Sequence, residues 1–352
     1  MIELENMISM SHYAGNRWDL VQAGGGNASV KIKDEMYIKA SGFLLAEIDV
    51  DNGVSHLSLN KLGQLFSDTS ILNNLDKKQR EAVASKHVKD AVLDNSIFRP
   101  SIETLLHSLL GKYVLHTHSV IANFFLVQKK WEKSLNELFP DAYYVSYATP
   151  GIDLALKLKN ELSETVDLAK TCVIFLQNHG IIVSSNSHQE VIDKTEEISI
   201  QLEKLIHVDF SHFRFSNIIH RYLKNFDQKN FCVFYSELIT LKYSSVNVCL
   251  TPVSPDVFVF CGYEIVQIEK DLNPIRNYIS TYQQVPNVIL HSGSFYLIAN
   301  TIKKAKEVEE LLNFQLMITS NLNDSKIDFV ALDKNELYYL GNWESEKYRQ
   351  KI

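Results

Sequence analysis

The 352-residue sequence predicts an α/β fold. Short apolar runs of strand length recur along it, such as Thr171–Leu176 (TCVIFL). Stretches with helical spacing, such as Ile152–Leu162, lie between them. The junctions carry Gly, Asn, Ser and Pro, as turns require.

In chain order, Ile2–Tyr13 is expected to be a helix. Asp19–Ser29 (DLVQAGGGNAS) is a glycine-rich loop whose backbone N–H groups can face an anion, although the same glycines suit a plain hairpin turn. Ala28–Lys33 and Glu35–Ala40 are expected strands, the second ending in Ser41-Gly42. Two loops of small, hydroxylated residues thus approach each other across a hairpin and can clamp one phosphate. Asp49–Ile97 is more polar, and its helical stretch within Leu72–Leu93 reads as a solvated face without chemistry. Arg99-Pro100-Ser101 opens the next helix, with proline in the first turn and Ile102, Leu105, Leu106, Leu109 and Leu110 as the apolar stripe. Glu103 then falls in the first turn, where the macrodipole favours a negative charge. His107 stands one turn on; the Glu-x-x-x-His spacing could meet a metal, but packing is the expected role.

Tyr113–His118 is a strand, Ser119–Val127 a helix and Asp141–Gly151 a strand and turn. Ile152–Leu162 has helical spacing, and Thr171–Leu176 suits a buried strand that delivers Gln177, Asn178 and His179 to a sharp turn at Gly180. Ile181–Ser184 is the returning strand. Ser187 and Glu190 fit a capping box for a helix burying Ile192, Ile198, Leu202 and Leu205. Composition shifts little beyond His207, where a boundary is set between residues 1–207 and a C-terminal α/β extension, 208–352. Within the extension, Val246–Phe260 and Tyr263–Ile268 read as strands, Val288–Ala299 as a hairpin, Thr301–Thr319 as a helix and Lys334–Arg349 as one or two short helices. Val288–Gly293 echoes Val173–Gly180, which fits either a duplication or the common strand-turn-strand-helix economy; His291 is a minor candidate on that account.

Composition narrows the function. An apolar fraction of 45% and a charged fraction of 22% are those of an ordinary globular protein. The net charge of −7 and the lack of a basic block argue against nucleic-acid binding. No run approaches 18 apolar residues, so no membrane span is expected, and the acidic N-terminus is not that of a signal peptide. The four cysteines form no C-x-x-C pair and sit in apolar runs, as expected of reduced thiols in a cytoplasmic protein.

The chemistry centres on Tyr113–Ser119, YVLHTHS. Residues i and i+2 of a strand share a face, so His116 and His118 project together from a rigid element. Such a pair also occurs on ordinary polar faces. Here Arg99–Thr104 (RPSIET) adds a carboxylate, Glu103, and Leu176–Gly180 (LQNHG) adds a third histidine, His179. Three imidazoles with one open position are the donor set of a catalytic zinc site.

Taken together, GGGNAS, KASG, RPSIET, HTH and QNHG, in order from Gln22 to Gly180, resemble the class II aldolase/adducin superfamily. GNRWDLVQAGGGN, TPVSPDVFVFCG and NWESEKYR further resemble the aldolase part of bacterial bifunctional rhamnulose-1-phosphate aldolase/dehydrogenases; no counterpart of their dehydrogenase part is expected here. The resemblance implies an α/β/α layered fold around a mostly antiparallel sheet. It implies His116, His118 and His179 as ligands of Zn2+ or another divalent ion, and Glu103 as catalytic acid/base. It implies Gly26, Asn27, Ser41, Gly42 and Ser101 as phosphate-binding positions, although Ile102 stands where the family often has a second serine. The implied activity is reversible cleavage of a rhamnulose- or fuculose-1-phosphate-like ketose 1-phosphate to dihydroxyacetone phosphate and an aldehyde. Epimerases, decarboxylases and dehydratases of the superfamily share these motifs, and an adducin-like, non-catalytic module is the remaining alternative. The implied assembly is a homo-oligomer, a tetramer for choice, in which a neighbouring subunit supplies a tyrosine; Tyr143, Tyr144 and Tyr147 are the nominees.

Overall fold

The structure is a computed structural model that describes residues 1–342 apart from 69, 71, 72, 74, 75, 94–96, 163–166, 169, 228, 229, 245 and 246. The NWESEKYR stretch lies outside the described residues from 343 onward. The chain divides into two compact units, Met1–Phe210 and Ser211–Ile352.

The first unit runs α1 (Ile2–Gly15), β1 (Asn27–Ile32), β2 (Glu35–Lys39), β3 (Val54–Ser58), α2 (Leu59–Leu65), α3 (Lys77–Ala91), α4 (Thr104–Ser108), β4 (Tyr113–Thr117), α5 (Val120–Leu126), α6 (Trp131–Asn136), β5 (Tyr143–Val145), α7 (Ile152–Glu161), β6 (Cys172–Leu176), β7 (Gly180–Ser185) and α8 (His188–Ile206). Its seven strands form one sheet in the order β3-β2-β1-β4-β7-β6-β5. Every pairing is antiparallel except β5 with β6.

Strand alternation gives this sheet two apolar faces. The register places Ala28, Val30, Leu115, Val183 and Phe175 on one face, buried with Met7 and Met10 of α1, Ile121 of α5 and Ile198 and Leu202 of α8. The opposite face carries Ile38, Val114, Ile182 and Ile174, covered by Leu105 and Leu106 of α4 and by Leu154 and Leu158 of α7. Helices therefore lie on both sides of a mostly antiparallel sheet. Side-chain caps fix helix starts where the sequence offers serine: Ser119 Oγ accepts from Ala122 N, and Ser187 Oγ from Glu190 N. The capping box closes on one side only, because the Glu190 carboxylate is bound by the hydroxyls of Ser185 and Thr171.

Several expectations change. The helix after Pro100 begins at Thr104, and Glu103 is its N-cap. In α8, Val191, Ile198 and Leu202 are buried, whereas Leu205 is exposed. β3 and α2 arise in the stretch read as polar, and α6 in one given no reading; the buried positions of β3 are Ser55 and Leu57, too weak an alternation to read.

The second unit contains α9 (Ser211–Leu223), β8 (Cys232–Ser236), α10 (Glu237–Tyr243), α11 (Pro255–Cys261), β9 (Val266–Ile268), α12 (Asn273–Tyr282), β10 (Val288–His291), β11 (Ser294–Ala299), α13 (Ile302–Asp324) and α14 (Lys334–Asn342). Its sheet order is β8-β11-β10-β9, with β9 parallel to β10. Of the expected strand over 246–260, residue 246 lies outside the described residues, 247–254 form no strand, and α11 occupies the rest. Ser254 caps this helix by accepting from Val257 N, and Pro255 occupies its first turn, so local start signals outweigh the strand propensity of VFVF. His291 stacks on Phe215 at 4.2 Å and its Nδ1 lies 3.2 Å from Ile268 O, a packing role. None of the four cysteines is in a disulfide among the described residues. Among the described residues no helix is long and apolar enough to cross a membrane.

Candidate metal centre

Three chain segments meet at the end of the central strand β4. His116 is fully buried, and its Nδ1 lies 3.0 Å from Ile181 O across the β4–β7 ladder. That contact turns Nε2 inward, as happens when a metal-binding imidazole gives its other ring N–H to a backbone carbonyl. His118, two residues on, brings its Nε2 to 3.1 Å from His116 Nε2. His179 enters from the β6–β7 turn and brings its Nε2 to 3.3 Å from the same atom. Glu103 arrives from the N-cap of α4, with Oε1 3.1 Å from His116 Nε2 and 3.3 Å from His179 Nε2. One donor atom from each of the four lies within 4.8 Å of the others. Two nitrogens bound at 2.0–2.1 Å to a tetrahedral ion stand about 3.3 Å apart, so this spacing fits one metal ion.

Each residue of QNHG has a distinct task in setting His179. Gln177 Oε1 accepts from Tyr147 N at 2.9 Å, and Gln177 N donates to Val145 O at 3.0 Å. Asn178 takes the left-handed conformation at φ 55° that the tight turn needs. Asn123 Nδ2 donates to His179 O at 3.1 Å, tying the turn to α5. Gly180 is there because the chains touch: a Cβ at this position would sit 2.1 Å from Thr117 O.

The electrostatics favour a cation. Burial works to raise the Glu103 carboxyl, but the charge of His116 and hydrogen bonds from His116 and His179 hold it well below the usual carboxylate range. Burial works to lower His116, and Glu103 outweighs it, so His116 ends up raised. Burial, and then His116, push His118 down to about 3, leaving a neutral imidazole.

The glycine-rich loop, the 41–43 segment and the 99–103 segment are laced together beside this cluster. Lys39 Nζ donates to Gly24 O at 3.3 Å and Phe43 O at 2.9 Å. Ser41 N donates to Arg99 O at 2.9 Å. Ser101 Oγ accepts from Glu103 N at 3.2 Å. Gly26 and Asn27 are buried, and Asn27 Oδ1 has no hydrogen-bond partner among the described residues. Ser41 and Gly42 are exposed, and Ile102 is 58% exposed beside Glu103. His107 is kept out of the centre: it is fully buried, with Nδ1 2.8 Å from Ser29 Oγ. Of the nominated tyrosines, Tyr144 uses its hydroxyl on Phe139 O at 2.8 Å, whereas Tyr147 is 57% exposed.

Two buried groups were missed in the sequence. Lys39 is 3% exposed; burial lowers its pKa, and the nearby Glu103 opposes that shift. Its only sequence signal is a lysine at a strand end just before Ala40-Ser41-Gly42. Arg17 is fully buried, binds Asp19 through Nε and Nη2 and Glu196 through Nη1, and so holds the entry to the glycine-rich loop against α8. Its signal is the R-x-D spacing.

A seven-stranded α/β domain with three imidazoles and a carboxylate gathered at its central strand is a domain able to hold a metal ion. The model of the class II aldolase and adducin N-terminal domain matches residues 5–205, and the chain belongs to that family. The chain is 23% identical over 214 residues to the uncharacterized oxidoreductase YuxG of Bacillus subtilis (strain 168), a match that covers 58% of this chain and only 29% of that protein. Similar solved structures include the N-terminal class II aldolase domain of a conserved Thermoplasma acidophilum protein (TM-score 0.49, 23% identity, 58% of this chain and 93% of that one). The sugar-phosphate aldolase of Thermotoga maritima (TM-score 0.41, 17% identity, 57% and 94%) is another. The L-fuculose-1-phosphate aldolase of Thermus thermophilus (TM-score 0.37, 14% identity, 57% and 94%) is a third.

Proposed function

We propose that residues 1–207 form the catalytic domain of a metal-dependent lyase. Its reaction is the reversible cleavage of a rhamnulose- or fuculose-1-phosphate-like ketose 1-phosphate to dihydroxyacetone phosphate and an aldehyde. The observation that carries this reading is the convergence of Glu103, His116, His118 and His179 in a member of the class II aldolase family. The three imidazoles are the ligands of one divalent ion, zinc being the first choice for a nitrogen donor set. When bound, that ion supplies the positive charge that polarises the carbonyl and adjacent hydroxyl oxygens of the substrate.

The rest of the chemistry belongs to side chains. Glu103 moves the proton at the carbon that loses its partner: its carboxylate takes it in synthesis, and in cleavage its acid form gives it, balancing the proton lost by the hydroxyl that becomes the aldehyde carbonyl. Its ionised form is favoured by the histidines around it. Gly26, Asn27, Ser41, Gly42 and Ser101 receive the phosphate. Ser101 Oγ already accepts the Glu103 N–H and keeps its own O–H to donate, so phosphate binding and Glu103 placement share one hydroxyl. Lys39, the buried cation facing Glu103, adds charge complementarity to an anionic substrate. Binding energy taken from the phosphate orients the reacting carbons. The working form is a cytoplasmic homo-oligomer, with exposed Tyr147 the best placed of the three tyrosines to reach a neighbour. Residues 208–352 form an extension to this domain.

The test pairs Glu103→Gln with a panel of ketose 1-phosphates. Glutamine keeps the shape but accepts no proton, so turnover should fall by at least about a hundredfold with metal retained. Exchange of the dihydroxyacetone phosphate proton with solvent should stop as well. A Gln variant that holds metal and exchanges at the parental rate excludes Glu103 as the base. Products other than dihydroxyacetone phosphate from the panel would move the assignment to an epimerase, decarboxylase or dehydratase. A metal-loaded protein that turns over nothing would point to the adducin-like module.

A further inference from the structure

We propose that Ser29 and Lys31 are positioning residues for Glu103, acting through His107 and through the carbonyls at and just beyond the C-terminal end of the short helix α4. The proposal rests on the reading of Glu103 given above.

The helix cannot place Glu103 by itself. It spans five residues, Thr104–Ser108, and a helix so short has no stability of its own. Glu103 makes no side-chain cap bond, because its carboxylate is turned to His116 and His179. Something outside the helix must hold it. Asn27, Ser29 and Lys31 project from one face of β1 at strand spacing, and Asn27 lies opposite His116 in the β1–β4 register. This row is therefore locked to the strand that carries His116. On the neighbouring strands the same face carries apolar Val114, Ile182 and Ile174, with His116 and Ser184 as buried polar positions.

The polar row grips α4 at two points. Ser29 Oγ lies 2.8 Å from His107 Nδ1, and both residues are fully buried. His107 N in turn donates to Glu103 O at 3.0 Å, one turn back along the helix. Lys31 Nζ donates to His107 O at 2.8 Å, to Gly111 O at 2.8 Å and to Leu110 O. An ammonium has three N–H groups, and all three are used. Burial lowers the pKa of this ammonium to about 7, and in its charged form it sits just past the end of α4, where the macrodipole favours a cation. Five residues of helix span only about 7.5 Å, so any slack at this end passes to Glu103. Displacement of a reacting group by about 1 Å costs on the order of a hundredfold in rate.

The experiment compares Lys31→Met, Ser29→Ala, Ser29→Thr and Glu103→Gln in the full chain, each with measured metal content. Lys31→Met and Ser29→Ala should lower kcat by at least about tenfold with KM for the ketose 1-phosphate essentially unchanged, and Ser29→Thr, which keeps the hydroxyl, should restore it. Amide hydrogen exchange on metal-free protein gives a readout independent of turnover. In Lys31→Met and Ser29→Ala, exchange should quicken over residues 101–111 and stay parental over 172–185. Parental kcat at full metal content in both variants, with Glu103→Gln inactive, would overturn the positioning role alone. A Glu103→Gln variant as active as the parent would overturn it together with the reading of Glu103. Exchange that quickens across the whole domain, or not at all, would also overturn it.

Discussion

Gly25 offers a test of the centre that touches none of its donor atoms. A Cβ at position 25 would lie 2.6 Å from His118 Nδ1 and 2.9 Å from Gln22 O. Ordinary van der Waals contact begins at 3.4 Å, so the imidazole must retreat by about 0.8 Å or the loop must move. The loop is poorly placed to yield, because Gly25 N already donates to Gln22 O at 2.9 Å. Metal–ligand distances hold to within about 0.2 Å, so a displacement several times larger removes His118 as a good ligand. Gly25→Ala should weaken metal affinity by about 10–100-fold, the range for disturbed ligand support. Gly24 is the internal control: a Cβ there meets nothing within 4 Å, and Gly24→Ala should bind metal as the parent does. Affinity is read by competition against a chromophoric chelator, with circular dichroism confirming the fold. Parental affinity in Gly25→Ala, or equal losses in both variants, would refute the placement of His118 against this loop.

Two further outcomes concern stability. Arg17→Met leaves Asp19 buried without its cation and deprives Glu196 of one partner; breaking such a pair costs about 3–5 kcal/mol. Tm should fall by roughly 6–20 °C, and a fall under about 2 °C would show that the carboxylates find other partners. Stripping the protein with a chelator should leave its secondary structure intact, since the donors stand on a paired sheet. Metal restored at 100 times Kd should then add about 2.7 kcal/mol, an increment that His116→Ala should lack in calorimetry.

Local pattern made much of this protein readable, and its silences have physical causes. The period of two in HTH placed His116 and His118 on one face, and the apolar run TCVIFL delivered His179 to a turn. What brings Glu103 and His179 to His116 is strand pairing and helix docking across long stretches of chain, which periodicity does not encode; motif resemblance supplied that link. The spacing of Glu103 alone fits an ordinary helix-start acid as well as a carboxylate of the centre, because it is the same whether the carboxylate faces solvent or an imidazole. Lys39 and Arg17 were passed over because a buried cation is marked by its partners, not by its neighbours in sequence. In the second unit, VFVF carries strand-forming residues, yet the Ser254 cap and Pro255 start a helix there. β3 escaped notice because one of its two buried positions is a serine.

The centre is assembled from segments far apart along the chain, and that has a kinetic consequence. His116 and His179 are 63 residues apart, and the Nδ1 contact of His116 reaches 65 residues to Ile181. Closing such distant pairings is a late and slow event. A nascent chain can offer an ion only the His116–His118 pair until the β6–β7 turn has been made and docked. An ion that meets a complete donor set only in the finished sheet contributes little to the rate of folding and acts mainly on the rate of unfolding. Metal supply would then govern how long a folded molecule survives, and have little bearing on how fast one forms.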